Sequence, residues 1–169
     1  MDKRFGFTTR LPRRSMLALI AAGGSLSGIA PGLDLTAVSA QASGRRDGER
    51  IADVAHRYKG SRYVWGGNTP RGFDCSGFTQ FVVREAVKID LSQALSDQYR
   101  SGRRVAKGEW RAGDLIFFEN TYKKGLSHVG IYLDRDRFIH AQNEDTGVVI
   151  TDITAEYYAS RYRGARRLV

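Results

Sequence analysis

The chain is poor in the residues that staple small exported domains or hold metals: among 169 residues there is one cysteine, Cys75, and there are three histidines. A single cysteine excludes an internal disulfide and a thiolate zinc cluster. The histidines, with no close-spaced ligand pair, fit no structural zinc pattern, so neither metal nor cofactor is expected. Long apolar runs are also scarce. The run over residues 16–30 is interrupted by Gly23, Gly24, Ser25, Ser27 and Gly28. It falls short of the roughly 20 residues a spanning helix needs. Acidic residues are outnumbered, 18 against 27 basic, for a formal charge of +9. Internal repeats and low-complexity segments are missing from the part that is expected to fold.

What precedes that part reads as an export signal over residues 1–42. Basic residues (Lys3, Arg4, Arg10, Arg13, Arg14) lead into the weakly apolar run. Pro12-Arg13-Arg14-Ser15-Met16-Leu17 resembles a twin-arginine motif, and Ala40-Gln41-Ala42, or else Val38-Ser39-Ala40, offers small-x-small cleavage. Retention as an uncleaved anchor is the alternative. Cleavage after Ala42 leaves 127 residues, enough for one compact core without disulfides, and lowers the charge from +9 to +6. An exported, mildly basic and monomeric protein of the periplasm, envelope or exterior suits loose association with an anionic envelope surface. Nucleic acid is a poor partner there. In that oxidising setting, a lone cysteine asks for a reason.

Residues 43–50 are polar and charged without apolar periodicity, which predicts a flexible linker ahead of a domain over 51–169. Ile51, Val54, Ala55 and Tyr58 recur at helical spacing and predict a first helix ending at Gly60, with His56 off the apolar stripe and solvated. A strand-like lead-in (Arg62 to Trp65) and a Gly/Pro loop then precede Asp74-Cys75-Ser76. Phe78, Phe81, Val82 and Ala86 follow at helical spacing, so Cys75 opens a second helix. Unpaired N–H groups and the helix dipole favour thiolate at that position. Ser92 is placed to cap a short third helix. Strands are predicted at Leu115-Ile116-Phe117-Phe118, at His128-Val129-Gly130-Ile131-Tyr132-Leu133, at Phe138-Ile139-His140-Ala141, at Val148-Val149-Ile150 and over 165–169, with a short helix over 155–162. Helices first and strands after give an α+β class with a mainly antiparallel sheet.

A cysteine peptidase needs a thiol, an imidazole to deprotonate it and to protonate the leaving amine, and a polar group orienting that imidazole. Cys75 as nucleophile, His128 as base and His140 as orienter supply the set. A buried free cysteine and structural strand histidines are the plainer reading of each residue alone. If the two imidazoles share a sheet face, direct opposition of 128 and 140 sets 132 against 136 and leaves a three-residue loop, Leu133-Asp134-Arg135.

Several stretches resemble the NlpC-type cell-wall cysteine peptidases, a papain-like group: Tyr63-x-Trp65-Gly66-Gly67, Phe73-Asp74-Cys75-Ser76-Gly77-Phe78, Gly113-Asp114-Leu115-x-Phe117-Phe118, Ser127-His128-Val129-Gly130-Ile131-Tyr132 and Phe138-Ile139-His140-Ala141, with a similar ending at Tyr162-Arg163-Gly164. The resemblance covers about residues 51–169. It implies a papain-like fold and a thiol endopeptidase acting on peptidoglycan stem peptides through Cys75, His128 and His140. Tyr63 would sit near the thiol and help hold the oxyanion, and Asp74 and Ser76 would contact the stem peptide's amine or backbone. A core aromatic and a helix cap are the plainer readings of Tyr63 and Asp74. Relatives often carry Leu-Pro-Arg where this chain has Leu91-Ser92-Gln93, which removes a rigid turn and a positive charge near the expected groove. The bond cut is then a γ-D-glutamyl-diamino acid bond or a D,D cross-link. A catalytically silent wall-binding module and an amidase cutting the sugar-to-peptide bond are the rival readings.

Overall fold

The computed structural model of the chain describes residues 35–169. The twin-arginine motif and the run over residues 16–30 lie outside the described residues. No helix among those described is long and apolar enough to cross a membrane.

The first helix, α1 (Leu35–Arg57), is far longer than its apolar stripe. Ile51, Val54 and Ala55 are buried as that spacing requires. The helix nevertheless continues back through the expected linker 43–50 and the candidate cleavage residues Ala40-Gln41-Ala42. The reason is a contact face made of glycine rather than of apolar side chains. A Cβ on Gly44 would sit 2.9 Å from the Val169 carbonyl carbon, and one on Gly48 would run into the Ala112 carbonyl oxygen. The helix therefore lies directly on backbone.

After α1 the chain makes a small hairpin, β1 (Asn68–Thr69) and β2 (Gly72–Phe73), and enters α2 (Cys75–Val87). The expected strand over Arg62 to Trp65 reduces to a single bridge, Tyr63 to Phe73. Helix α2 buries Phe78, Val82, Val83 and Ala86 and ends at Lys88 in the left-handed conformation (φ 61°). Each large apolar side chain so buried contributes about 1.5–3 kcal/mol. A short α3 (Leu95–Arg100) follows, without a side-chain cap. The Ser92 hydroxyl accepts the Ala94 N–H just ahead of it.

The remaining elements form one antiparallel sheet: β3 (Arg103–Val105), β4 (Leu115–Glu119), β5 (Leu126–Tyr132), β6 (Arg137–Ala141), β7 (Val148–Asp152) and β8 (Tyr162–Arg167), with α4 (Glu156–Ala159) before β8. The order across the sheet is β3-β8-β4-β5-β6-β7, and every pairing is antiparallel. The α+β expectation is met. Alternation along the strands splits the core in two. Leu115, Phe117, Val129, Ile131, Ile139 and Ala141 join α1 and α2 on one face, while Ile116, Phe118, Tyr132, Phe138 and Ala165 gather with Tyr158 of α4 on the other.

The β5–β6 register differs from the expected one. Ile131 opposes Ile139 and Tyr132 opposes Phe138, so the ladder is shifted by two residues from direct opposition of 128 and 140. The turn explains the shift. Arg135 (φ 45°) and Asp136 (φ 60°) both adopt left-handed conformations, and the Arg137 N–H donates to the Asp134 carbonyl at 2.8 Å. The Leu133 N–H donates to the Arg137 carbonyl at 2.9 Å, so Leu133 opposes Arg137 and the loop is the three residues Asp134-Arg135-Asp136, one position further on than the expected Leu133-Asp134-Arg135. A shift of two keeps side-chain direction, so His128 and His140 still share a face.

Candidate active site

Asp74 builds the seat of the thiol. Its backbone is extended (φ −90°, ψ 177°), and its Oδ1 accepts the Gly77 N–H at 2.6 Å and the Ser76 hydroxyl at 3.1 Å. Its Oδ2 accepts the Gly66 N–H at 3.0 Å. One carboxylate thus caps α2 and ties the Gly66-Gly67 loop to the helix. Both oxygens have structural partners. Gly77 completes the join, because a Cβ there would run into the Gly67 carbonyl oxygen.

Cys75 is buried at the start of α2. Burial first, and then the Asp74 carboxylate, push its thiol up to about 12, against the pull of the Val129, Ser76 and Cys75 N–H groups. The helix-start N–H groups act in the expected direction, but desolvation outweighs them. The Val129 contact has a cause in the sheet. Tyr132 donates its N–H to the Asp114 carbonyl on the β4 side, so alternate residues of β5, Val129 among them, aim their N–H groups toward β6. The β5–β6 ladder stops at Ile131–Ile139. The Val129 N–H is thereby left to the sulfur, and the thiol meets β5 one residue past His128.

The two imidazoles come together on the far face. Nε2 of His128 lies 2.7 Å from Nδ1 of His140, with the rings nearly perpendicular at 88°. His140 is sandwiched by Phe138, stacked at 4.5 Å, and Tyr158, edge-on at 5.4 Å. Its Nε2 lies 3.0 Å from the Thr151 hydroxyl. Burial lowers His128 to about 4. Burial and then the neighbouring His128 hold His140 well below its ordinary value. Both rings are therefore neutral near pH 7, and the nitrogen of His128 left for other chemistry is Nδ1. Among the described residues no hydrogen bond joins Cys75 to His128.

The rim is aromatic. Tyr63 is raised by burial and then by the charges of Cys75 and Asp74, and Tyr122 by burial and then by the same two groups, which sets both phenols around the thiol. Tyr122 meets Trp65 edge-to-face at 5.5 Å, and the two are 53% and 67% exposed, an apolar wall facing solvent. Ser76 is buried, and its carbonyl accepts the Gln98 amide at 2.9 Å, while Gln98 in turn accepts the Thr79 hydroxyl at 2.7 Å. Gln93 donates to the Gly66 carbonyl at 3.0 Å and accepts from the Asn68 amide at 3.2 Å. Side-chain bonds thus tether the Leu91-Ser92-Gln93 turn in place of proline's rigidity.

Tyr122, Gln98, Thr151 and Tyr158 belong to this site without belonging to any motif in the sequence. A hydroxyl on the strand after His140, two residues from its direct partner Val149, is the one signal that a β6–β7 register would have supplied. His56 is exposed on α1, as expected. Among the described residues no group of three or more His, Cys, Asp or Glu is placed to hold a metal ion. A cavity of about 410 Å³ lies away from Cys75, between α1 and the β3–β8 edge, lined by Arg45, Arg103, Arg111 and Arg167.

Comparison with known proteins places the chain in one family. The NlpC/P60 family model matches residues 60–167. The chain is 41% identical over 118 residues to a gamma-DL-glutamyl hydrolase of Bacillus subtilis, covering 69% of this chain and 28% of that protein. It is 38% identical over 122 residues to the murein DD-endopeptidase MepS/murein LD-carboxypeptidase of Escherichia coli, covering 71% and 62%. The chain thus spans less than two thirds of the length of these relatives. Among solved structures, the NlpC/p60 domain of the peptidoglycan hydrolase SagA superposes with a TM-score of 0.62 at 32% identity, covering 70% of this chain and 97% of that one. A Staphylococcus aureus NLP/P60 family protein superposes with a TM-score of 0.65 at 38% identity, covering 73% and 42%. With a family model matched over most of its length and the same fold in solved relatives, the chain belongs to the NlpC/P60 family.

Proposed function

We propose that the chain is a thiol endopeptidase that hydrolyses peptide bonds within peptidoglycan stem peptides. The observation that carries the reading is the meeting of the Cys75 thiol with β5 beside His128, whose far nitrogen is held by His140. His128 Nδ1 takes the thiol proton, Sγ attacks the scissile carbonyl carbon, and the imidazolium returns the proton to the leaving amine. The resulting thioester is hydrolysed by a water that His128 activates, which restores the thiol. Donors available to the developing oxyanion are the Cys75 N–H and the Tyr63 hydroxyl. The exposed Trp65–Tyr122 wall supports a substrate with apolar or ring surface beside the scissile bond. Asp74 and Ser76 flank the thiol and are the candidates for contacting the stem peptide's amine or backbone.

The relatives' names give three activities, gamma-DL-glutamyl hydrolase, murein DD-endopeptidase and murein LD-carboxypeptidase, of which the first two correspond to the expected γ-glutamyl bond and D,D bond. Mass spectrometry of purified muropeptides after incubation decides between them. Fragments split inside the stem peptide are expected. Release of intact stem peptides would make the protein an amidase, and unchanged muropeptides would make it a wall-binding module.

We further propose export through the twin-arginine route to the envelope, supported by Arg13-Arg14 ahead of a weakly apolar run. Replacing both arginines with lysine should hold the precursor in the cytoplasm, whereas normal export of that variant would assign it to the general secretory route. Exposed Arg103 and Arg104 on β3 favour loose association with an anionic surface.

A further inference from the structure

We propose that Thr151 is a positioning residue that selects the reactive tautomer of His128, acting through His140; the inference rests on the endopeptidase reading above. The chain of contacts has a direction. Nε2 of His128 faces Nδ1 of His140, and Nε2 of His140 faces the Thr151 hydroxyl. For His128 to accept the thiol proton, its Nδ1 must be bare, so its neutral ring carries hydrogen on Nε2. That hydrogen is donated to Nδ1 of His140, which must then also be bare. His140 consequently carries its hydrogen on Nε2, and the only described hydrogen-bond partner there is Thr151 Oγ1 as acceptor. Run the other way, with Thr151 donating, the same contacts put a hydrogen on His128 Nδ1, and the imidazole can no longer act as a base.

Two features favour the reactive direction. The Nε2–H form is the more stable neutral form of histidine, and Thr151 is half-buried, so its own hydroxyl hydrogen can go to water while its oxygen accepts. The ring planes are fixed independently. Continuing the β5–β6 register by one pair sets Gly130 against His140, where a Cβ would sit 3.0 Å from His140 Cβ and 2.6 Å from Phe138 Cδ2. Glycine at 130 therefore leaves room for Phe138 to stack on His140 at 26° between ring planes. On the other side β7 pairs Phe138 with Thr151 and His140 with Val149, which brings the hydroxyl to the end of the ring. Phe138, Tyr158 and Gly130 hold the ring, and Thr151 supplies the polar contact that decides where its hydrogen sits.

The test is nitrogen NMR of the full chain with labelled histidine at neutral pH, alongside kinetics of Thr151→Val and Thr151→Ser on a stem peptide. Both His128 and His140 are expected to carry hydrogen on Nε2. Thr151→Val should disturb that pattern and lower kcat by about tenfold to a hundredfold with KM little changed, and Thr151→Ser should restore both. Hydrogen on Nδ1 of His128 in the wild-type protein, or wild-type kcat and tautomers in Thr151→Val, would overturn the assignment. The wild-type spectrum answers the question even if Thr151→Val does not fold. If the wild-type protein cleaves no stem peptide, the proposed function fails, while the spectrum still reports on the tautomers.

Discussion

The two halves of the site are built by different means. The thiol half is local: Asp74, Gly77 and the Gly66-Gly67 loop lie close together in sequence, and backbone N–H groups and one carboxylate make nearly all the joins. The imidazole half is assembled from three strands and a helix that meet only in the folded sheet, and side chains make its joins: His128 to His140, His140 to Thr151, and the aromatic walls of Phe138 and Tyr158. A site half made of backbone tolerates little added volume. One made of side chains tolerates isosteric replacement and fails by losing polarity or orientation.

Five measurements bear on that contrast, in order of expected effect. His128→Ala should lower kcat/KM by at least about 10³-fold, roughly 4 kcal/mol of transition-state stabilisation, because it removes the proposed base of the thiol. Near-normal turnover by this variant would remove the imidazole half from the chemistry.

Acidification comes next. The folded-state value of His128, about 4, lies below its ordinary 6.5, so between those values the unfolded chain binds a proton that the folded protein does not. The corresponding stability is fully present above pH 6.5 and is lost as pH falls through about 4, on the order of 3 kcal/mol for this residue. His140, also depressed, steepens the loss. Denaturant unfolding across this range should show stability rising with pH, and the acid limb of kcat/KM should lie nearer 4 than 6.5. A flat stability profile would mean that the rings are charged or solvated.

Gly77→Ala probes the backbone-built half. With the Gly67 carbonyl in the way, it should cost about 2–3 kcal/mol of unfolding free energy and disturb the thiol together with the loop. Unchanged stability would mean that the loop is free to move off α2. His140→Asn probes the other half and should be milder, about tenfold in kcat, since an amide can still orient an imidazole. Loss as complete as in His128→Ala would give His140 more than an orienting role. Asp74→Asn should have the smallest effect, about 1 kcal/mol of stability, because Oδ1 can still accept the Gly77 N–H and only the Gly66 N–H loses its acceptor. If its KM for stem peptides with a free amine rises while that for acetylated ones does not, Asp74 pairs with substrate as well as capping α2.

The local half was the legible half. The helix start at Cys75, the loop glycines and the polar residues around them stand together in the sequence, and the strand patterns at 115–118, 128–133 and 138–141 announce β4, β5 and β6. What stayed hidden depends on pairing. The β5–β6 register turned on two left-handed residues, Arg135 and Asp136, that carry no glycine signal. Thr151 and Tyr158 become site residues only once β7 and α4 are placed. The helical run over 43–50 escaped periodicity because its buried face is glycine. Charge state was hidden too. Helix-start N–H groups are visible in sequence, whereas the burial that outweighs them at Cys75 is not.

The central claim is that Cys75 is the nucleophile of a stem-peptide endopeptidase. Its most direct test is mass spectrometry of muropeptides incubated in parallel with wild-type protein and with Cys75→Ala protein shown to be folded. Cleavage within the stem peptide by the wild type and none by the variant is the predicted result. Cleavage by the folded variant at anything near the wild-type rate would contradict it.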